Sequence, residues 1–255
     1  MKRLSFVLSL ASLIVAAPAL AAPAAQTGVA IEAATVKPVS DNAMRLSLLL
    51  NPTDKTLEVG MKGFETGIAA ALKNNPKDAA VYAQNPGLLD AVMAAGRPVM
   101  REHLLKKIPA SQRVFAEFYA DKFSSAEIDQ LIAFYSTPTG RKVISAMYAG
   151  VDLSKLSQNA GKTERPEVSA KDVQSIAESA AANLDDQFDS DDWRELFMFS
   201  ATPVHAKLVS IAPEFSQLVA KLNNEPNPVL DEHLHAAIKR AVTAYRATHG
   251  RAHAS

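Results

Sequence analysis

The residues of this chain with side chains able to do chemistry are its six histidines, the acidic run between Asp185 and Asp192, and the basic pair Arg141-Lys142. Each group points first to metal or anion binding. His233 and His235 flank Leu234, but residues two apart on a helix project in different directions and do not share one metal. His249 and His253 have the i, i+4 spacing of a zinc pair. Gly250 lies between them and the chain ends soon after, so a solvated tail is the plainer reading. Asp185, Asp186, Asp189, Asp191 and Asp192 lack the turn glycine and the late bidentate glutamate of a calcium loop. Asp189 and Asp192 suit the start of a helix, where negative charge is favoured. No metal set and no cofactor motif emerges.

Arg141 and Lys142 fall in the first turn of a helix begun by Thr137-Pro138. Together with the free amides of that turn they could hold an anion, or they could form a solvated face. The chain has no Gly-x-Ser-x-Gly elbow, no His-Glu-x-x-His, no phosphate-cradling glycine loop and no cysteine. A hydrolase of unrecognised type would have to use scattered groups such as Glu117 or Asp121 with Arg141.

These groups are positioned by a segment that occurs twice, 65 residues apart and without a gap. Phe123, Leu131, Phe134, Thr137, Pro138 and Lys142 return as Phe188, Leu196, Phe199, Thr202, Pro203 and Lys207. An internal repeat marks the structural unit. Ser124-x-x-Glu127 predicts a capping box, and Asp189-x-x-Asp192 a weaker acidic counterpart. Ile128, Leu131, Ile132 and Tyr135 share one helical face, matched by Trp193, Leu196, Phe197 and Ser200, so both faces are expected in a core. Thr137-Pro138 and Thr202-Pro203 each supply an N-cap oxygen and a first-turn proline that needs no amide hydrogen. The next helices should turn Gly140, Val143, Ile144 and Met147, and His205, Leu208, Val209 and Ala212, to one side. His205 stands where the first copy has Gly140, in a position that is either surface or core.

Around the repeat, Asn51-Pro52, Asn75-Pro76, Asn85-Pro86-Gly87, Pro98, Pro109 and Pro166 mark joints between helices, with Pro98 alternatively a kink in a helix over Leu88–Lys107. Gly60, Gly63 and Gly67 form a small-residue stripe that suits tight packing, a hinge or a dimer seam. Leu230, Leu234, Ala237, Ile238, Ala241 and Tyr245 stripe a final helix. The expected fold is all-α, a bundle of about nine to eleven helices built around two related helical units. The expected organisation is a signal peptide over 1–21, a flexible leader over 22–40, a first unit over 41–149, a linker over 150–169, a second unit over 170–248 and a disordered tail over 249–255.

Lys2-Arg3, the apolar stretch Leu4 to Ala17 and the small-x-small site Ala19-Leu20-Ala21 have the layout of a secretory signal cleaved near Ala21/Ala22. The expected location is periplasmic or secreted. No cysteine follows to take a lipid, and no later segment reaches the ~20 apolar residues of a membrane helix. The chain has 27 basic and 27 acidic residues. Such a balance excludes the electrostatic footprint of a nucleic-acid binder. Without disulfides, stability must come from a hydrophobic core, which 48% apolar residues can supply.

Phe134-Tyr135-Ser-Thr137-Pro138-Thr-Gly140-Arg-Lys142, preceded by Phe123-Ser-Ser-Ala-Glu127, resembles the signature of the domain of unknown function 2059 family, small exported helical domains of bacteria. The resemblance is clearest over about Phe115 to Met147, with weaker support over Asp41 to Lys107. The second copy departs from it, with Ser200 for Tyr135, His205 for Gly140 and Ala206 for Arg141. The resemblance implies a helical exported protein and no activity. The expected function is a non-catalytic module that binds an envelope protein or an apolar ligand, and an envelope-acting hydrolase is the alternative. Because the shared residues suit caps and core, binding is expected where the copies differ, at Tyr135, Gly140 and Arg141, with Lys142 beside them.

Overall fold

The computed structural model describes residues 39–153, 167–181 and 187–249. The signal segment 1–21, residues 22–38 of the leader, residues 154–166 of the expected linker with Pro166, the pair Asp185 and Asp186, and residues 250–255 with His253 lie outside the described residues. The described residues form ten helices and no strand: α1 (Asp41–Leu50), α2 (Thr53–Asn74), α3 (Pro76–Gln84), α4 (Leu88–Lys122), α5 (Ser125–Tyr135), α6 (Pro138–Ala149), α7 (Ala170–Ala181), α8 (Ser190–Ser200), α9 (Pro203–Asn224) and α10 (Pro228–His249). The all-α expectation is what the chain adopts. His249, assigned above to the tail, is the last helical residue, its ring stacked on Tyr245 with centroids 4.2 Å apart.

The spine is α4, 35 residues long and unbroken through both Pro98 and Pro109. Pro109 is thus no joint, contrary to the expectation above. A proline inside a helix leaves the carbonyl four residues earlier without its amide partner. Here both prolines are exposed, as are Ala94 and Leu105, the residues whose carbonyls lose that partner, so water can satisfy them. Eleven residues separate the two prolines, three turns of helix, which keeps both on the solvent side. Pro213 in α9 is likewise exposed.

Two hydrophobic clusters meet along α4. The larger joins α1, the C-terminal half of α4 and α5 to α9, with Leu46, Tyr119, Leu131, Tyr135, Val143, Leu196 and Val219 among its buried side chains. The smaller packs Phe64 of α2, Met100, Leu104 and Ile108 of α4, and Leu230 and Leu234 of α10. The last helix therefore packs on α4 of the segment 41–149, in an interface that includes the hydrogen bond from Tyr245 Oη to Pro86 O at 2.6 Å. Of the glycine stripe, Gly60 lies against Leu104, whose Cδ1 would sit 2.8 Å from an added Cβ, which is the tight packing weighed above.

At the corner of α1 and α2, Ser47 Oγ donates to Gln112 O at 2.6 Å and Gln112 Nε2 donates to Asn51 O at 2.7 Å. These buried polar groups are satisfied by one another, which fixes α1 on α4.

The stripes of α5 and α8 are not equally covered. Ile132 is 5% exposed, whereas Phe197 at the matching position is 74% exposed and Met198 beside it 65%. Phe197 is therefore no core residue, and Val209 is partly exposed as well. Ile132 is covered because α1 packs on α5, a neighbour that α8 lacks among the described residues.

Candidate functional site

Helices α5 and α8 start 65 residues apart, as do α6 and α9, and both junctions are capped alike. The Ser124 and Asp189 side chains accept from the amides of Glu127 and Asp192, whose carboxylates accept in return from the amides of Ser124 at 2.7 Å and Asp189 at 3.2 Å. Thr137 and Thr202 accept from the amides of residues 140 and 205. The four positions where binding was expected sit at this junction and fare differently. Tyr135 is wholly enclosed, and burial drives its phenol far above the ordinary range. Gly140 is buried where α6 turns back on α5: a Cβ there would strike Phe134 O and lie 2.6 Å from Tyr135 Cα. Neither meets solvent, so neither can touch a ligand without the core opening. Arg141 is exposed.

Lys142 is engaged within the chain. Its Nζ lies 2.6 Å from Asp192 Oδ2, and Thr139 Oγ1 donates to Asp192 Oδ1 at 2.7 Å. The anion weighed above for this helix start is thus the chain's own carboxylate, which is only 6% exposed. Glu127, the counterpart of Asp192, receives Lys207, the counterpart of Lys142, at 2.8 Å. Between the two pairs the rings of Phe134 and Phe199 stack at 3.8 Å and 2°. Rings this close and parallel lie nearly face to face, so the pair contributes mainly through burial. His205, in the position of Gly140, is buried with its ring edge-on to Phe199 at 5.4 Å. It belongs to the core, and burial holds its pKa below the ordinary value.

The reciprocal pairs set an acid sensitivity. Lys207, and then the amide and hydroxyl of Ser124, lower the Glu127 carboxyl from 4.5 to about 2. Lys142, with Thr139 and the Asp189 amide, lowers Asp192 in the same direction. A carboxyl depressed in the folded state stabilises the fold above its unfolded pKa, and that contribution is lost as pH falls through the folded one. For Glu127 the window runs from about 4.5 down to about 2. Lys207→Gln is expected to move acid unfolding to higher pH, followed by far-UV circular dichroism between pH 5 and pH 2. An unmoved acid midpoint would show that the pair contributes nothing.

The groups considered for hydrolysis stand elsewhere. Glu117 pairs with Arg113 at 3.3 Å and Asp121 lies 3.5 Å from Lys122, all on the surface of α4. Neither carboxylate, nor Arg141, lines the cleft described next.

That cleft was not foreseen. It holds about 670 Å³ between α4, α10 and the loop before α10, and is lined by Val99, His103, Lys107, Leu230, His233 and Arg240 among others. Lys106 and Glu102 pair on its rim at 2.6 Å. Lys107 Nζ donates to Leu222 O at 2.8 Å, and burial lowers its pKa. His103, half buried, is held below its usual pKa by burial and then by Lys107 and Lys106; its Nδ1 lies 3.3 Å from Asn227 Nδ2. Arg240 has no carboxylate within ion-pair distance among the described residues. His233 lines the cleft and His235 does not, as their spacing implied. In sequence, His103, Lys106 and Lys107 share a face at i, i+3 and i+4, as do His233, Ala236 and Arg240 at i, i+3 and i+7. Nothing in either segment indicates that the two faces meet.

Among the described residues no group of three or more His, Asp or Glu side chains could hold a metal ion, and no helix is long and apolar enough to cross a membrane. No curated protein and no solved structure matches the chain. The end of α4, the capped helix α5 and the Thr-Pro helix α6 carry a family likeness: residues 112–154 match the family model DUF2059, described as an uncharacterized protein conserved in bacteria.

Proposed function

We propose that the protein is an exported, non-catalytic binding module of the bacterial cell envelope, and that the cleft between α4 and α10 takes an organic anion with an apolar body. The observation that carries this reading is the pairing of Arg240 and Lys107 with an apolar wall of Val99, Val229, Leu230 and Ala236 around about 670 Å³. That volume suits a small-molecule ligand. Glu102 and Glu225 also line the cleft, Glu102 paired with Lys106 on the exposed rim; Arg240 has no carboxylate partner among the described residues and is the cation most open to a ligand. Export is supported by the layout of residues 2–21, and the intact mass of the purified protein tests it: the mature chain is expected to start at Ala22.

The binding probe is 1-anilinonaphthalene-8-sulfonate, an aromatic body with one sulfonate. Its fluorescence should rise saturably on mixing with the folded mature protein. A hydrogen bond to a charged group is worth about 1.5–3 kcal/mol, so Arg240→Gln should weaken binding about tenfold or more. Arg141→Gln, outside the cleft, should leave it unchanged. Burial, then Lys107 and Lys106, hold the His103 pKa below its usual value, so binding should tighten only as the pH falls through that lowered pKa and the imidazole gains charge. Equal affinity in wild type and Arg240→Gln would remove the reading.

A further inference from the structure

The contacts between α5–α6 and α8–α9 are exchanged reciprocally. Lys142 reaches Asp192 and Lys207 reaches Glu127, while Phe134 stacks on Phe199, its own counterpart. When residue i touches j and the counterpart of i touches the counterpart of j, the two parts are related by an approximate two-fold axis. Here the axis runs by the Phe134–Phe199 stack. Applied to α1, it predicts a helix that the described residues do not supply. Helix α1 lies on α5 with Asn42 Nδ2 2.6 Å from Asp129 Oδ1, its Ala43, Leu46 and Leu50 buried and Ile128 and Ile132 buried on the α5 side. The image of that surface on α8 is centred on Arg194 and Phe197. Phe197 is 74% exposed where Ile132 is 5% exposed, and Met198 widens the rim.

We infer that the Arg194–Phe197–Met198 face of α8 docks an amphipathic helix of another protein, in the place that α1 occupies on α5. Charge specifies that helix further. Arg194 stands where the first copy has Asp129, and its ion pair with Asp191 is long, 3.5 Å, and highly exposed. Exposed pairs of that kind give up their partner at little cost. A helix that presents Asn42 to Asp129 must therefore present an acid to Arg194, followed by apolar residues at the spacing of Ala43, Leu46 and Leu50. This is recognition of a helix by a groove of apolar anchors. A second copy is a poorer occupant, because its own helix of this pattern, α1, is already buried on α4 and α5. None of these residues lines the α4–α10 cleft, so this inference is independent of the ligand proposed there.

The probe is an acetylated, fluorescent peptide of residues 39–51, stapled across positions 41 and 45, which are exposed in α1, with Asn42→Asp as its acidic form. By fluorescence anisotropy the acidic peptide should bind the full mature chain saturably, at least fivefold tighter than the unmodified one. Phe197→Asp should weaken it tenfold or more without altering the melting temperature, since the site is exposed. Arg194→Glu should abolish or reverse the preference for the acid. No binding at millimolar peptide, or binding indifferent to Phe197→Asp, would overturn the inference. Sedimentation velocity supplies the other arm: a concentration-dependent dimer abolished by Phe197→Asp would assign the face to a second copy and overturn the occupant named here.

Discussion

Gly140→Ala should destabilise the protein by about 3 kcal/mol or more, because overpacking of this size costs 1–3 kcal/mol where side chains can yield and more where they cannot. The atoms an added Cβ would meet are backbone: Phe134 O, and Tyr135 Cα at 2.6 Å. They belong to the last turn of α5, and that helix is held from both sides, by α1 and by the stack of Phe134 on Phe199. Making room by moving α6 away would stretch the Thr137 cap, whose hydroxyl accepts from the Gly140 amide at 3.0 Å. Domains of this kind have about 5–15 kcal/mol in total, so the loss is a large share. It reads out as a lower urea midpoint with an unchanged slope. A midpoint within error of wild type would mean that α5 and α6 can separate at low cost. At the second junction the equivalent position holds His205, its ring edge-on to Phe199.

Tyr135→Ala should cost about 3–5 kcal/mol, the range for deleting a buried aromatic ring. Tyr135 has no exposed surface and lies edge-on to Phe134 and Phe199 at 5.1 and 6.0 Å. Its hydroxyl makes no hydrogen bond with the described protein atoms. Tyr135→Phe should accordingly hold stability within about 1 kcal/mol of wild type, or raise it, because an unbonded buried hydroxyl is a cost in the folded state. The contrast between the two variants, followed by urea unfolding and near-ultraviolet circular dichroism, separates the ring from the hydroxyl. A large loss in Tyr135→Phe would show that the hydroxyl has a partner on which the core depends. Any loss of ligand binding in Tyr135→Ala reads first as loss of core.

Much of the local architecture is legible in the residues themselves. Ser124-x-x-Glu127, Asp189-x-x-Asp192 and the two Thr-Pro steps determine where α5, α6, α8 and α9 begin, because each device satisfies amides within three residues of itself. The apolar spacing of Ile128, Leu131 and Tyr135, or of Leu230, Leu234 and Ala237, determines which face of a helix is buried. Pro109 misleads because its effect depends on where the freed carbonyl points, and on α4 that is toward water. Phe197 misleads for a related reason, since a stripe states that a face is apolar and not that a neighbour covers it.

The sequence by itself determined an all-α chain, its caps and most of its core faces, all consequences of interactions that span one or two helical turns. Only the tertiary structure decided that Lys142 serves Asp192 and Lys207 serves Glu127, that α10 returns to α4 to leave a cleft under Arg240, and that Phe197 on α8 is exposed where Ile132 on α5 is covered. Those outcomes depend on which apolar faces find each other across 50 to 130 residues, and hydrophobic burial, being non-directional, does not write that choice into either partner alone.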